Sequence, residues 1–416
     1  MAEDKHRTTL YVELRALEPL HLGGRHLYGS YRAGETVLHG GRVLAALAEA
    51  AGEFPLFGGG NNIIIEDAPI AIGPASVNYQ VVYLPLTAET CKTFSGSWFL
   101  EPDKNSGKEE RHGFWDTLIW RWLVHNRRWT DFAIPLWGCC MKCGEAAKPA
   151  SGFVERWLRR ADERLEYRYQ AGETFAERRT HTAINPARGV AEFGMLFTED
   201  LLLEDTVRYV RVRLQGTENE VKKRLEDLEK LFEHSFSVGG AKSRGHGKMN
   251  AELRRDAKPE AEPLGERIER FDELVKKMAG NLLEEEEKKR IYFVITTQSA
   301  VVLPDQDVCP DWHIREGDQG GWQSIFPRLT SLRDSRLEFF QHRFTQVTGW
   351  STLWNLPKPA LRAIAPGSVY LFSTAAEPAD LEAVAAELEF SGGGLFRAEG
   401  YGALNVSDPF HREVRL

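Results

Sequence analysis

The chain has 416 residues, of which 42% are hydrophobic and 27% charged, and its formal net charge is −8 at pH 7. This length allows two or three domains with complete cores, and the composition is that of a globular protein. The negative net charge argues against a general nucleic-acid coat protein but allows a local basic groove. No apolar run approaches membrane-spanning length and the start of the chain lacks a signal core, so we expect a cytoplasmic protein.

The predicted elements begin with a strand in TTLYVELRALEPLHL and an Ala-rich helix in VLHGGRVLAALAEAAG, which ends at Gly52. The connection between them, HLGGRHLYGSYRAGET, is rich in glycine and carries Arg25, Tyr28 and Tyr31. From about residue 87 to 178 the pattern breaks, which indicates an insertion.

The insertion contains one clear predicted helix, whose apolar face is lined by Trp115, Leu118, Ile119 and Trp122. We predict a second, Arg-rich helix over GFVERWLRRADERLEYRYQ. Its arginines lie three or four residues from acidic residues, a spacing that is typical of a solvated, salt-bridged face.

Three of the five cysteines lie in the segment CCMKC. Cys140 and Cys143 have the C-x-x-C spacing of a zinc knuckle, and Cys91 and His112 are the nearest credible further ligands. We therefore predict a structural zinc ion, since no water-activating glutamate accompanies these residues in a recognisable motif. A group of reduced, buried thiols is the alternative, and the spacing leaves open whether Cys139 or Cys140 binds.

The segment RRTHTAINPARG is basic and is predicted to form a hairpin against RNA. Its candidate contacts are Arg178, Arg179, His181, Asn185 and Arg188. An ordinary turn at NPARG is the alternative interpretation.

A glycine-rich basic loop, SVGGAKSRGHGK (237–248), follows a predicted strand in YVRVRL and a helix in ENEVKKRLEDLEKLFEHS, and it precedes a strand in KMNAEL. Bare backbone amides and cations together suit an anionic phosphate chain. The loop closes a helix, whereas P-loops and dinucleotide fingerprints open one. The candidate RNA contacts are Gly239, Gly240, Lys242, Arg244, Gly245, His246 and Lys248.

Residues 256–289 are highly charged and are predicted to form a solvated helical linker. After it the layout repeats: strands in RIYFVITTQSAVVL and GSVYLFST, a helix in EPADLEAVAAELEF, and a second glycine-rich loop in SGGGLFRAEGYGALNVSDPF. Trp322 and Tyr401 stand beside glycines, where an aromatic ring could stack on an unpaired base. Burial in the core is the competing interpretation for Trp322.

Several stretches, in order along nearly the whole chain, resemble the RAMP proteins of CRISPR effector complexes. They are LPLTAETCK, HGFWDTL, CCMKCGEAAKPASGF, RTHTAINPARGVAEFGMLF, SVGGAKSRGHGK, GGWQ, WNLPKPALRAIAPGSVYLF and GYGALNVSDPFH. The resemblance is most specific to the large two-domain, Cas-five-type subunit of type III-D complexes. It implies an α+β fold of two ferredoxin-like RAMP domains, over 1–255 and 290–416, with the zinc-type insertion in the first.

This resemblance implies a protein that binds the 5′ handle of a CRISPR guide RNA. The implied protein partners are other RAMP subunits and the large polymerase-like subunit. The first helix departs from the family pattern, because His39 replaces a proline and Leu44 with Ala45 replaces an Arg-Gly pair. Arg25 and Arg42 are the candidate RNA contacts in and beside the first connection.

An enzymatic role has one candidate site. The loop after the first strand contains no Asp, which argues against the target cleavage that backbone RAMP subunits perform. The alternative is a metal-independent RAMP endoribonuclease that processes precursor CRISPR RNA, with His26 and Tyr31 as candidate catalytic residues. We expect a binding subunit rather than an enzyme.

Overall fold

The computed structural model describes the segments 6–26, 31–35, 37–52, 63–65, 80–94, 112–126, 138–140, 142–161, 164–171, 176–240, 242–255, 262–305, 321–351 and 356–414. The chain divides into two compact units. The first unit comprises residues 1–77, 172–258 and 398–400, and the second comprises 78–171, 259–397 and 401–416. Within the described segments, no helix is both long enough and apolar enough to cross a membrane.

The helices are α1 Gly40–Ala51, α2 Leu118–His125, α3 Glu218–Phe232, α4 Leu264–Ala279, α5 Glu285–Lys288, α6 Gly321–Ile325 and α7 Pro378–Ser391. The strands up to residue 171 are β1 His6–Ala16, β2 Gly23–His26, β3 Tyr31–Gly34, β4 Ile63–Ile65, β5 Gln80–Tyr83, β6 Ala88–Cys91, β7 Phe114–Asp116, β8 Ala147–Pro149, β9 Phe153–Ala161 and β10 Arg164–Ala171. The later strands are β11 Ala176–Asn185, β12 Val190–Leu202, β13 Val207–Gly216, β14 Phe236–Ser237, β15 Lys248–Leu253, β16 Ile291–Thr297, β17 Val301–Val302, β18 Arg336–Gln341, β19 Phe344–Ser351, β20 Leu356–Ile364, β21 Val369–Thr374 and β22 Leu404–Val406.

The main sheet of the first unit has the strand order β14-β15-β1-β13-β4. Taken along the chain, β1-α1-β4-β13-α3-β15 is a β-α-β-β-α-β unit whose neighbouring strands are antiparallel, which is the ferredoxin-like arrangement. Alternate residues of β1 and β13, such as Leu14 and Val212, are buried against α1 and α3. A capping box begins α3, since Thr217 and Glu220 exchange side-chain to backbone hydrogen bonds of 3.4 and 2.8 Å.

A second sheet in the first unit, β11-β12-β3-β2, contains the long hairpin β11–β12. The hairpin is inserted between β4 and β13. Residues around its turn are exposed on both faces, including Ile184, Phe193 and Leu196. The turn therefore projects away from the core of the first unit.

The second unit repeats the same plan. Its main sheet has the order β18-β21-β16-β22, and β16-α6-β18-β21-α7-β22 again forms a β-α-β-β-α-β unit. The hairpin β19–β20 is inserted just before β21, as β11–β12 is inserted just before β13. Two units with this order agree with the α+β prediction.

The division of the chain differs from the sequence expectation, because residues 78–171 belong to the second unit. Buried polar contacts explain this. The Asp116 carboxylate lies 2.6 Å from Nδ1 of His411. The other ring nitrogen of His411, Nε2, lies 2.6 Å from the Thr296 hydroxyl. Arg156 donates to Asp408 at 2.8 Å. Asp408 and His411, near the end of the chain, therefore hold residues 78–171 in the second unit through buried contacts.

Residues 256–289 were predicted to form a solvated linker, but part of this segment is buried. Its described part contains α4, whose residues Ile268, Phe271, Val275 and Ala279 are buried. These positions recur every three or four residues and form one apolar face. The segment is helical as predicted, but it is part of the core of the second unit.

The predicted Arg-rich helix is wrong. Residues 153–161 and 164–171 form the antiparallel strand pair β9–β10, and β9 also pairs with β5. Strand pairing over the length of β5 has overridden the local helical charge spacing. Trp115 likewise lies in β7, just before α2 begins.

Candidate metal centre and RNA interface

The four predicted metal ligands lie together in the second unit. One ligand atom from each of Cys91, His112, Cys140 and Cys143 falls within 4.8 Å of the others. The Cys91 and Cys143 sulfurs are 3.7 Å apart, and the Cys140 sulfur is 3.2 Å from His112 Nδ1. Two thiolates bound tetrahedrally to zinc at about 2.3 Å lie about 3.8 Å apart, so the donor set and its spacing fit such an ion.

Local backbone geometry arranges the cysteine knuckle. The Gly144 amide donates to the Cys140 carbonyl at 2.7 Å while Gly144 has a φ of 75°, which turns the chain sharply. Cys140 is buried and faces the cluster, whereas Cys139 lies outside it. This settles which of the two adjacent cysteines joins the group.

Crowding affects the thiols as well. Desolvation raises the pKa of the Cys143 thiol, with hydrogen bonds to Cys91 and Cys140 adding to the rise and a backbone hydrogen bond at Glu145 opposing it. A cation at the centre of the cluster would reverse this preference, because a coordinating thiol ionises readily.

The glycine-rich basic loop (237–248) lies in the first unit, between α3 and β15. Lys242, Arg244 and Lys248 are all exposed. Lys242 forms an ion pair with Glu49 at 2.6 Å. An exposed pair of this kind is worth little and is easily exchanged for a phosphate, so three cations remain available along one loop.

The glycines of this loop have two different roles. A Cβ at Gly239 would lie 2.5 Å from the His21 carbonyl oxygen, and one at Gly247 would lie 2.3 Å from the Val238 carbonyl oxygen. Gly240 donates to the same His21 carbonyl at 3.0 Å. By contrast, Gly245 has a φ of 75° and nothing within 4 Å of a Cβ position. Close backbone packing therefore explains the glycines at Gly239 and Gly247, whereas Gly245 leaves open space beside Arg244.

A continuous series of side chains connects Arg244 to the protein interior. The Arg244 guanidinium lies 5.6 Å from the centroid of the Phe197 ring, and that ring stacks on His181 at 5.3 Å with an interplanar angle of 24°. His181 Nε2 in turn is 3.2 Å from a carboxylate oxygen of Glu199, which is fully buried. Phe197 and His181 of the hairpin β11–β12 thus pack beneath Arg244 of the basic loop.

His246 was predicted as an RNA contact, but its side chain is buried rather than exposed. Its Nδ1 has no hydrogen-bond partner in the described part of the chain. Burial lowers the pKa of His246; Glu199 opposes the shift, and Arg244, Arg179 and His181 add to it. The surroundings therefore favour the neutral form of the imidazole.

The predicted contacts on the hairpin are mostly engaged within it. Arg178 pairs with Asp200 at 3.0 Å and Arg179 with Glu177 at 2.8 Å. The Asn185 side chain accepts from the Ala187 and Arg188 amides and donates to Glu192, so it shapes the turn. Arg188 is exposed at that turn.

The connection between β1 and α1 is described only in part. Arg42 donates to the Gly23 carbonyl at 2.8 Å and pairs with Glu35 at 2.5 Å, so it holds the connection against α1. The backbones of β2 and β3 include Arg25, His26 and Tyr31, but their side chains lie outside the described part of the structure, as does Tyr28.

The proposed stacking role of Trp322 is wrong. Trp322 is 3% exposed and its ring meets that of Phe372 edge to face at 5.3 Å in the core of the second unit. Tyr401 is half-buried in the second glycine-rich loop. Phe197 and Glu199 of β12 also belong to this candidate site, and the sequence did not point to them, because their strand positions carry no local motif.

Residues 53–250 match the RAMP superfamily. The match includes the basic loop and the hairpin β11–β12 but ends before the second unit's main sheet. None of the curated proteins matches the sequence.

Two solved structures show distant likeness. A chain of the type III-B Cmr-β complex bound to cognate target RNA and AMPPnP is 10% identical, with a TM-score of 0.39, over 87% of this chain and 86% of that one. A chain of a type IV-B CRISPR complex is 13% identical, with a TM-score of 0.26, over 62% and 94%.

Proposed function

We propose that this protein is the RNA-binding subunit of a type III CRISPR effector complex that binds the 5′ handle of the guide RNA and caps one end of the complex. Its proposed protein partners are other RAMP subunits and the large polymerase-like subunit. Its task is recognition and assembly rather than catalysis.

The basic loop is the observation that carries this proposal. It closes the helix before the last strand of a ferredoxin-like unit, and it exposes Lys242, Arg244 and Lys248 around the open space at Gly245. Cations and accessible backbone on one loop suit a single-stranded phosphate chain. The RAMP match over residues 53–250 supports the same interpretation.

Replacing Lys242, Arg244 and Lys248 together by Ala should weaken binding to guide RNA and flatten its salt dependence. Each lost phosphate contact removes about one counterion-release term, or roughly 0.7 from the log–log slope for single-stranded RNA. Filter binding at several salt concentrations, with guide RNA carrying or lacking its handle, measures both quantities.

A matched control removes the same charge elsewhere in the first unit. Lys222, Lys223 and Lys230 are exposed on α3. Their triple Ala variant should retain the affinity and the slope of the original protein. Equal effects of the two triple variants would show that total charge, rather than the basic loop, governs binding.

Repeat RNA should remain intact when it is incubated with the purified protein and a chelator. Cleavage that disappears in His26→Ala would favour the processing endoribonuclease instead.

We also propose that Cys91, His112, Cys140 and Cys143 hold a structural zinc ion. Gently purified protein should then contain about one zinc per chain, and Cys143→Ser should lose both the metal and thermal stability, because metal binding and local folding are coupled. Cys139→Ser is the control, since Cys139 adjoins the cluster without facing it. Retained zinc in Cys143→Ser would contradict the ligand set.

A further inference from the structure

Glu199 is a carboxylate buried in the first unit. Its side chain is fully buried in β12, and neither carboxylate oxygen makes a hydrogen bond to the described residues. A buried ion is costly unless an opposite charge compensates it. The groups that face Glu199 therefore determine what this region can do.

Imidazoles face both oxygens of Glu199. His181 Nε2 lies 3.2 Å from Oε1, and His21 Nδ1 lies 3.9 Å from Oε2. His246 is the third histidine near Glu199, since the Glu199 carboxylate and the His181 imidazole both act electrostatically on it. We call these four residues the histidine–glutamate cluster. The cluster draws its members from three separate parts of the first unit: the connection between β1 and β2, the hairpin β11–β12 and the basic loop.

His246 has a ring nitrogen available for a proton, since its Nδ1 is buried and has no partner among the described residues. The charged and titratable groups that act on it are Glu199, His181 and Arg179 from the hairpin and Arg244 from its own loop. Glu199 favours the imidazolium form, whereas burial and the three other groups disfavour it. The balance leaves His246 neutral but surrounded by groups that a bound anion would affect.

RNA would change this balance. Lys242, Arg244 and Lys248 precede and follow His246 in the same loop, so phosphates held by these cations lie close to the cluster. Phosphates at that position neutralise the Arg244 charge that opposes protonation and add negative charge of their own.

We propose that RNA binding at the basic loop is linked to proton uptake, with His246 as the group that takes up the proton and Glu199 as the positioning residue that makes this possible. The inference rests on the proposed RNA-binding function. Because the bound state favours the protonated form, affinity rises as the pH falls. The ligand chemistry is the phosphate backbone of single-stranded RNA.

Isothermal titration of the full-length protein with guide RNA, in buffers that differ in ionisation enthalpy, measures the protons taken up. At pH 7 the original protein should take up a substantial fraction of one proton. Between pH 8 and pH 6 its affinity should tighten by about three- to tenfold, since one pKa unit corresponds to a tenfold change in an equilibrium constant.

His246→Gln should abolish most of this uptake while it retains affinity at pH 8, because Gln keeps a polar side chain that does not titrate. The control is His234→Gln, which removes an exposed histidine after α3 and should leave the uptake unchanged. Circular dichroism establishes that each variant folds.

Glu199→Gln gives a second test that does not depend on replacing His246. It removes the charge that favours the imidazolium, so the rise in affinity should move to lower pH while the fold is retained. RNA binding with no pH dependence and no proton uptake would overturn this inference alone. An absence of RNA binding at every pH would overturn the proposed function as well.

Discussion

The two glycine-rich loops occupy the same position in their ferredoxin-like units but differ in what their glycines accomplish. In the loop from Ser391 to Ala403, a Cβ at Gly392, Gly394 or Gly402 would lie between 1.9 and 2.4 Å from a carbonyl oxygen. In the basic loop, Gly245 has open space around it and exposed cations beside it.

This comparison shows that glycine content alone does not identify a binding loop. The second loop uses glycine to bring backbone against backbone, and it leads into the buried residues Asn405, Asp408 and His411. The basic loop combines tight packing at Gly239 and Gly247 with one open glycine. The comparison therefore favours the basic loop over the second loop as the site of the proposed RNA binding, and it gives the second loop a structural role.

Gly402→Ala should have the largest effect. Its Cβ would lie 1.9 Å from the Gly393 carbonyl oxygen, and the φ of 78° adds strain for any L side chain. We expect a loss of at least about 4 kcal/mol of unfolding free energy, or failure of the second unit to fold. Urea unfolding measures this. A stable Gly402→Ala protein would show that the second loop can open.

Asp408→Asn should have the next largest effect, because it removes the carboxylate charge that pairs with the buried Arg156 at 2.8 Å. Breaking such a pair costs about 3–5 kcal/mol. Arg156→Met combined with Asp408→Asn should recover part of the loss, whereas equal instability of the single and double variants would argue against an ion-pair origin.

The same residue predicts how stability depends on pH. Burial alone would raise the pKa of Asp408, but Arg156, the Phe410 amide, His411 and Arg267 together lower it below its usual value. A carboxyl with a lowered folded pKa stabilises the protein above its unfolded pKa of about 3.9, and that contribution disappears as the pH falls through the folded value. Acid unfolding of the original protein should therefore be steeper below about pH 4 than that of Asp408→Asn.

Gly245→Ala should have the smallest effect on stability. The φ of 75° disfavours an L residue by about 1–2 kcal/mol, but no neighbouring atom lies within 4 Å of the new Cβ. Thermal unfolding should shift slightly, far less than for Gly402→Ala. A comparable loss in the two variants would remove the distinction between the loops.

Local patterns in the sequence predicted much of this molecule. The C-x-x-C spacing with Cys91 and His112 led to the cluster that the structure brings together. The apolar spacing in α3 and the alternation in β13 gave correct elements, because each is stabilised largely by its own amphipathic face.

Contacts between distant parts of the chain explain the remaining differences. Arg156 and Asp408 are separated by 252 residues, so no local pattern assigns the inserted segment to the second unit. The salt-bridge spacing in 153–171 favours a helix, yet pairing with β5 makes it a strand pair. The spacing of Ile268, Phe271 and Val275 indicates a buried face on α4, but the high charge of the segment favoured the prediction of a solvated helix.

The interleaved order of the two units has a consequence for protein synthesis. The apolar face of α2, including Trp122, packs against Phe271 and against Tyr292, whose ring lies 5.4 Å from that of Trp122. A ribosome adds about 5–20 residues per second, so α2 leaves the exit tunnel roughly 10 to 30 seconds before Tyr292 does. During that interval the residues that bury the apolar face of α2 in the folded protein have not yet been synthesised or have not yet left the tunnel.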